Sequence, residues 1–77
     1  MVLETPNPHG HADRLGQAVR ERRRQLGLRQ EDLADLAGVS LRFVQALEAG
    51  KRTVQLDRVE AVLATLGLRL RIEQVRK

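Results

Sequence analysis

Four stretches of the chain place apolar residues three and four positions apart, and a fifth places them two apart. Leu15, Val19 and Leu26 share one face of a helix predicted to start near Asp13, a good N-cap, and to close at Gly27. Leu33, Ala34 and Ala37 predict an inward face for a second helix over 30–37. Val44 and Leu47 do the same for a third over 41–49, with Ser40 as its N-cap and Gly50 after it. Leu56, Val59, Leu63 and Leu66 form a continuous stripe on a fourth over 56–66, closed by Gly67. After Gly67 the period changes: Leu68-Arg69-Leu70-Arg71-Ile72-Glu73 alternates apolar and charged, which predicts a strand. Residues 1–12 contain Pro6, Pro8 and Gly10 and show no period, so they read as a flexible arm. The predicted organisation is an arm over 1–12, a helical domain over 13–67 and a strand with its tail over 68–77.

The second and third helices lie close together in sequence, joined at Gly38, where a positive φ suits glycine best. A small residue at Ala34, the turn glycine and apolar anchors at Val44 and Leu47 are the sequence form of a helix-turn-helix, which lays its second helix in the major groove of DNA. In that geometry the outer N-terminal part of the third helix meets base edges, and Ser40, Leu41, Arg42 and Ala46 occupy that face. Arg42 is the best reader, able to grip guanine O6 and N7 with two bonds, while Leu41 and Ala46 suit thymine methyls. Gln45 lies on the flank, placed for a base or a phosphate. Phe43 is placed either at the edge of the core or at the dimer seam, with packing the favoured role. Lys51, Arg52 and Thr53 form a polar, basic loop suited to phosphates beyond the third helix. A lone strand leaves its backbone groups unpaired, so the strand over 68–73 is expected to pair with a second copy across a two-fold axis, burying Leu68, Leu70 and Ile72.

Composition narrows the functional class. Fourteen Lys and Arg against ten Asp and Glu give +4 and a pI near 11.0, a balance that suits a polyanion. Arg20, Arg22, Arg23 and Arg24 crowd the end of the first helix, where they complement its dipole and read first as a solvated face, with phosphate contact as the functional alternative. Phe43 is the one aromatic residue, which argues against stacking on single strands. With no cysteine, disulfides and thiolate metal sites are excluded. His9 and His11 lack supporting ligands and read as part of the arm. No Ser/His/Asp set, metal cluster or phosphate-cradling glycine loop points to an enzyme or a cofactor. No apolar run approaches the roughly 20 residues of a membrane span, and the expected location is the cytoplasm, at the bacterial nucleoid.

The elements Leu28-Arg29-Gln30-Glu31-Asp32-Leu33-Ala34, Ala37-Gly38-Val39-Ser40 and Val44-Gln45-Ala46-Leu47-Glu48-Ala49-Gly50-Lys51-Arg52 resemble the Cro/C1-type (XRE) helix-turn-helix family over roughly 15–66. The resemblance implies an all-α, lambda-repressor-like bundle of four helices, here followed by the C-terminal strand. It implies that Gln30 donates to a phosphate of an inverted-repeat operator. Where the family usually carries Ser or Thr as the N-cap of its second helix, this chain has Arg29, assigned to a further phosphate contact. The tail, Leu66-Gly67-Leu68-Arg69-Leu70-Arg71-Ile72, resembles the HipB-type antitoxins, which implies a homodimer that autoregulates its operon and restrains a HipA-type serine/threonine kinase toxin. The alternative is a stand-alone regulator of the same family, such as a phage-type repressor or restriction controller, with no toxin partner.

Overall fold

The computed structural model describes residues 8–75, with side chains from Ala12 onward. Four helices follow in order: α1 Pro8–Gln25, α2 Gln30–Ala37, α3 Leu41–Glu48 and α4 Leu56–Thr65. Helix α1 starts at Pro8 rather than near Asp13. Proline is well tolerated there, because first-turn N–H groups have no intrahelical acceptor. Residues 1–7 of the predicted arm, and the side chains of His9 and His11, lie outside the described residues.

The core draws on all four helices: Val19 from α1, Leu33 and Ala34 from α2, Val44 and Leu47 from α3, and Val59, Val62, Leu63 and Leu66 from α4 and its C-cap. Fully burying each such Val or Leu contributes about 1.5–3 kcal/mol of transfer free energy. Phe43 packs against this cluster at its edge, as assigned. Gly16 brings α1 against the end of α3. A Cβ there would lie 2.5 Å from the Leu47 carbonyl oxygen and 2.8 Å from that of Glu48.

The helices share one way of ending. In α4, Gly67 N–H donates to Ala64 O at 3.1 Å and Leu68 N–H to Leu63 O at 2.7 Å, with Gly67 at φ 72°. That paired pattern is a Schellman motif, which turns the chain back and lays the next residue on the core. The same pair of bonds recurs at Gly27/Leu28, Gly38/Val39 and Gly50/Lys51. Leu28, Val39 and Leu68 pack against the core.

This motif accounts for two departures from expectation. Leu26 is exposed rather than inward, because the turn at Gly27 hands its place to Leu28. The strand expected over 68–73 is not formed, and no strand is present among the described residues. The Leu68 N–H is held by the α4 cap and its side chain by the core, so the alternation loses its first member. Beyond it, Leu70 and Ile72 stand exposed, with no second strand among the described residues to complete a ladder. A third departure lies in α4: Leu56, in its first turn, is 59% exposed, and Val62 completes the buried stripe instead.

Candidate nucleic-acid interface

Helix α3 is set by its two ends. At the N-terminus Ser40 adopts an extended backbone, and its Oγ accepts the Phe43 N–H at 3.0 Å. Just before it, Gly38 at φ 70° makes the left-handed turn that a side chain would resist. Val44 and Leu47 are buried against the core. The opposite face therefore turns to solvent, carrying Leu41, Arg42 and Gln45 with Ser40 at its head. Ala46 is half-buried, at the margin of that face. Leu41 and Gln45 line an open cleft with Arg29, Gln30 and Glu31 from the start of α2. The structure thus brings Gln30 together with the exposed edge of α3. Lys51, Arg52 and Thr53 are exposed in the loop between α3 and α4.

The start of α2 carries two arginine–carboxylate clusters of different character. Outside, the Asp32 carboxylate accepts the Arg29 backbone N–H at 2.8 Å, together with Nε and Nη2 of its guanidinium at 3.2 Å each. Glu31 adds an ion pair to Nη1 at 3.1 Å. A guanidinium has no acceptor, so Arg29 cannot give the first-turn N–H groups what Ser or Thr would. Asp32 supplies the return half of the cap instead. The Arg29 side chain, acting first through its hydrogen bond, holds the Asp32 carboxyl below its ordinary value. The guanidinium expected to meet phosphate is therefore engaged by two carboxylates of its own helix.

Inside, Arg23 and Glu48 form a buried bidentate pair: Nε donates to Oε2 at 2.7 Å and Nη2 to Oε1 at 2.9 Å. Arg23 Nη1 also donates to the Leu28 carbonyl at 2.9 Å. Glu48 Oε1 further accepts Gln30 Nε2 at 3.2 Å and lies 3.6 Å from Arg20 Nε. Burial pushes the Glu48 carboxyl up, but the bonds from Arg23 and Gln30 and the nearby guanidinium charges outweigh it and hold it below the usual range. One carboxylate thus joins α1, the start of α2 and the end of α3.

The arginines of α1 are not one solvated face. Arg23 is internal, and Arg22 Nε donates to the Leu66 carbonyl at 2.9 Å, tying α1 to the end of α4. Arg20 stays half in solvent. Sequence reasoning missed Arg23 and Glu48, although a signal existed. Arg23 continues the Leu15–Val19 stripe at helical spacing, and Glu48 adjoins the inward Leu47, so each was an inward charge needing a partner.

The dimer residues are not brought onto one face. Leu68 is partly buried against the core, while Leu70 and Ile72 are exposed. Among the described residues no group of three His, Cys, Asp or Glu side chains is arranged to hold a metal, and no helix is long and apolar enough to cross a membrane.

Comparison with known proteins agrees with this geometry. The sequence signature of the family described as Helix-turn-helix matches residues 19–72. Over 53 residues the chain is 53% identical to an uncharacterized HTH-type transcriptional regulator, y4mF, of Sinorhizobium fredii, covering 69% of this chain and 70% of that protein. Over 49 residues it is 39% identical to an uncharacterized HTH-type transcriptional regulator of Methanothermobacter thermautotrophicus, covering 64% of this chain and 71% of that one.

Proposed function

The chain belongs to the XRE-type helix-turn-helix family of DNA-binding transcriptional regulators, and from that premise we propose that it is a sequence-specific repressor that reads duplex DNA as a homodimer. The observation that carries this reading is the outward face of α3. Ser40, Leu41, Arg42 and Gln45 stand free of the core at its N-terminal half, opposite the buried Val44 and Leu47. Placed in the major groove, Arg42 reads a guanine, and Leu41 with Ala46 covers thymine methyls. Gln45 serves a base or the backbone beside it. Gln30 donates to a phosphate, helped by the first-turn N–H groups of α2. Lys51, Arg52 and Thr53 hold phosphates beyond α3. Arg29 contributes little, since its charge is met by Glu31 and Asp32.

Two copies place two α3 helices on half-sites about one turn, ~34 Å, apart. The exposed Leu70 and Ile72 are the apolar surface proposed to join them. Leu68 is left out, being part of its own core. Leu70→Glu is expected to give a monomer in light scattering and to weaken operator binding with it. A dimer of unchanged affinity would remove the tail from the interface.

The finer expectation, an antitoxin that restrains a HipA-type kinase, rests on the sequence of the tail. Co-purification with the product of an adjacent kinase gene tests it. A neighbourhood with no such gene leaves the stand-alone regulator.

Fluorescence anisotropy on the duplex just upstream of the protein's own gene, against a scrambled duplex, tests the main reading. Binding to its own DNA is expected to be at least ~10³-fold tighter at physiological salt. Arg42→Ala should cost about 1–3 kcal/mol and relax preference at one base pair. Equal, strongly salt-dependent affinity for both duplexes would mean that only the backbone is read.

A further inference from the structure

We propose that Glu48 is a positioning residue for phosphate recognition: it turns the Gln30 amide so that an N–H faces the DNA backbone, and it holds Arg20 beside that N–H as the cation of the same phosphate site. The inference rests on the DNA-binding reading above and assigns two residues, Glu48 and Arg20, that the reading did not use.

A glutamine amide has two ends of nearly equal shape, one a donor and one an acceptor. In water either end can face a neighbour. A phosphate oxygen only accepts, so an amide free to turn spends part of its time presenting the wrong end. An ionised carboxylate also only accepts, so a carboxylate fixed beside Gln30 removes that freedom. Glu48 is such a carboxylate: 6% exposed, gripped bidentately by Arg23, and 3.2 Å from Gln30 Nε2. The NH2 group must face it. One N–H is used there, and the second remains on the half-buried side chain at the first residue of α2.

Charge assigns the second member. Arg23 is enclosed, its donors taken by Glu48 and the Leu28 carbonyl. Arg29 is engaged by Glu31 and Asp32. Arg20 differs from both. Its side chain is 49% exposed and meets Glu48 Oε1 through Nε at 3.6 Å, longer than a hydrogen bond. Because Gln30 Nε2 and Arg20 Nε approach one oxygen atom, they stand close enough together for a single phosphate to meet both. Within this junction Arg20 and Arg23 both face the single carboxylate of Glu48, so Arg20 is the cation that a phosphate can share.

The test uses the full chain and its own upstream duplex, with binding followed by anisotropy across a salt series. Arg20→Met should lower the slope of log affinity against log salt by about 1. Gln30→Met should weaken binding roughly tenfold without changing that slope, because it removes a bond and no charge. Glu48→Gln restores the freedom of the amide. In that background, if circular dichroism shows it folded, Gln30→Met should cost markedly less than in the wild type. Should Glu48→Gln not fold, the Arg20/Gln30 pair decides alone, since both variants keep the Arg23–Glu48 pair. The double variant should then lose less than the two single losses combined.

An unchanged salt slope in Arg20→Met, an equal cost of Gln30→Met in both backgrounds, or additive losses in the double variant would overturn the positioning role while the DNA-binding reading stands. A wild-type protein that bound no duplex would overturn both.

Discussion

Arg23 and Arg29 flank the same turn, and each grips carboxylates, yet the two clusters do different work. Around Arg23 the main partner, Glu48 on α3, is distant in sequence and buried, and the Leu28 carbonyl and, through Glu48, the Gln30 amide complete the cluster at its part-buried margin. Around Arg29 the partners are Glu31 and Asp32, within three residues and open to water. Water screens the second cluster and competes for its donors, so it caps one helix and offsets local charge. Around the first, the low-dielectric surroundings make any missing partner expensive and any alternative geometry poor. An arginine–carboxylate pair is therefore a local cap in one place and a three-element junction in the other. Burial, rather than ion-pair count, separates the two.

That contrast breaks most plainly on removal of one partner. Glu48→Ala leaves a buried guanidinium unpaired and should cost about 3–5 kcal/mol in urea unfolding, where a junction of no importance would cost about as little as a surface pair. Acid sharpens the same point. The Glu48 carboxyl sits below its ordinary value when folded, so its contribution is fully present above the unfolded value of about 4.3 and is lost as pH falls from there through the folded value. Stability measured between pH 6 and 3 should fall less steeply in Glu48→Ala than in the wild type. Asp32 shares the direction of shift, but its carboxylate is exposed, so Asp32→Ala should lower the melting temperature far less than Glu48→Ala. The smallest effect belongs to Arg29→Ser. It supplies the side-chain acceptor that α2 lacks and should raise the melting temperature slightly while leaving the salt slope of DNA binding nearly unchanged. A loss of one unit of slope in that variant would show Arg29 on the phosphates after all.

Much of the framework was legible because it is written locally. Gly38, the Ser40 cap, and the inward Leu33, Ala34, Val44 and Leu47 follow from spacing and turn chemistry alone, and the structure places each accordingly. The exposed edge of α3 follows from the same anchors. What was not legible depends on contacts between elements. Arg23 and Glu48 lie 25 residues apart, and no helical period pairs them. Leu56 carries the right spacing for the stripe of α4 but stays exposed, while Val62 joins Val59, Leu63 and Leu66 in the core. The tail misled for a different reason. Alternation over 68–73 is a strand signal only when the strand begins free, and Leu68 is already committed to the end of α4 by its N–H and its side chain.

In the proposed complex α3, held from behind by the core and the Arg23–Glu48 junction, is the face that meets DNA. The most direct test is amide NMR of the ¹⁵N-labelled chain titrated with the duplex from upstream of its own gene. The largest shifts are expected at Ser40–Gln45, at Gln30 and Arg20, and across Lys51–Thr53, with little change at Leu36 or along the exposed start of α4. Shifts concentrated on α4 and the tail, with α3 unmoved, would contradict it.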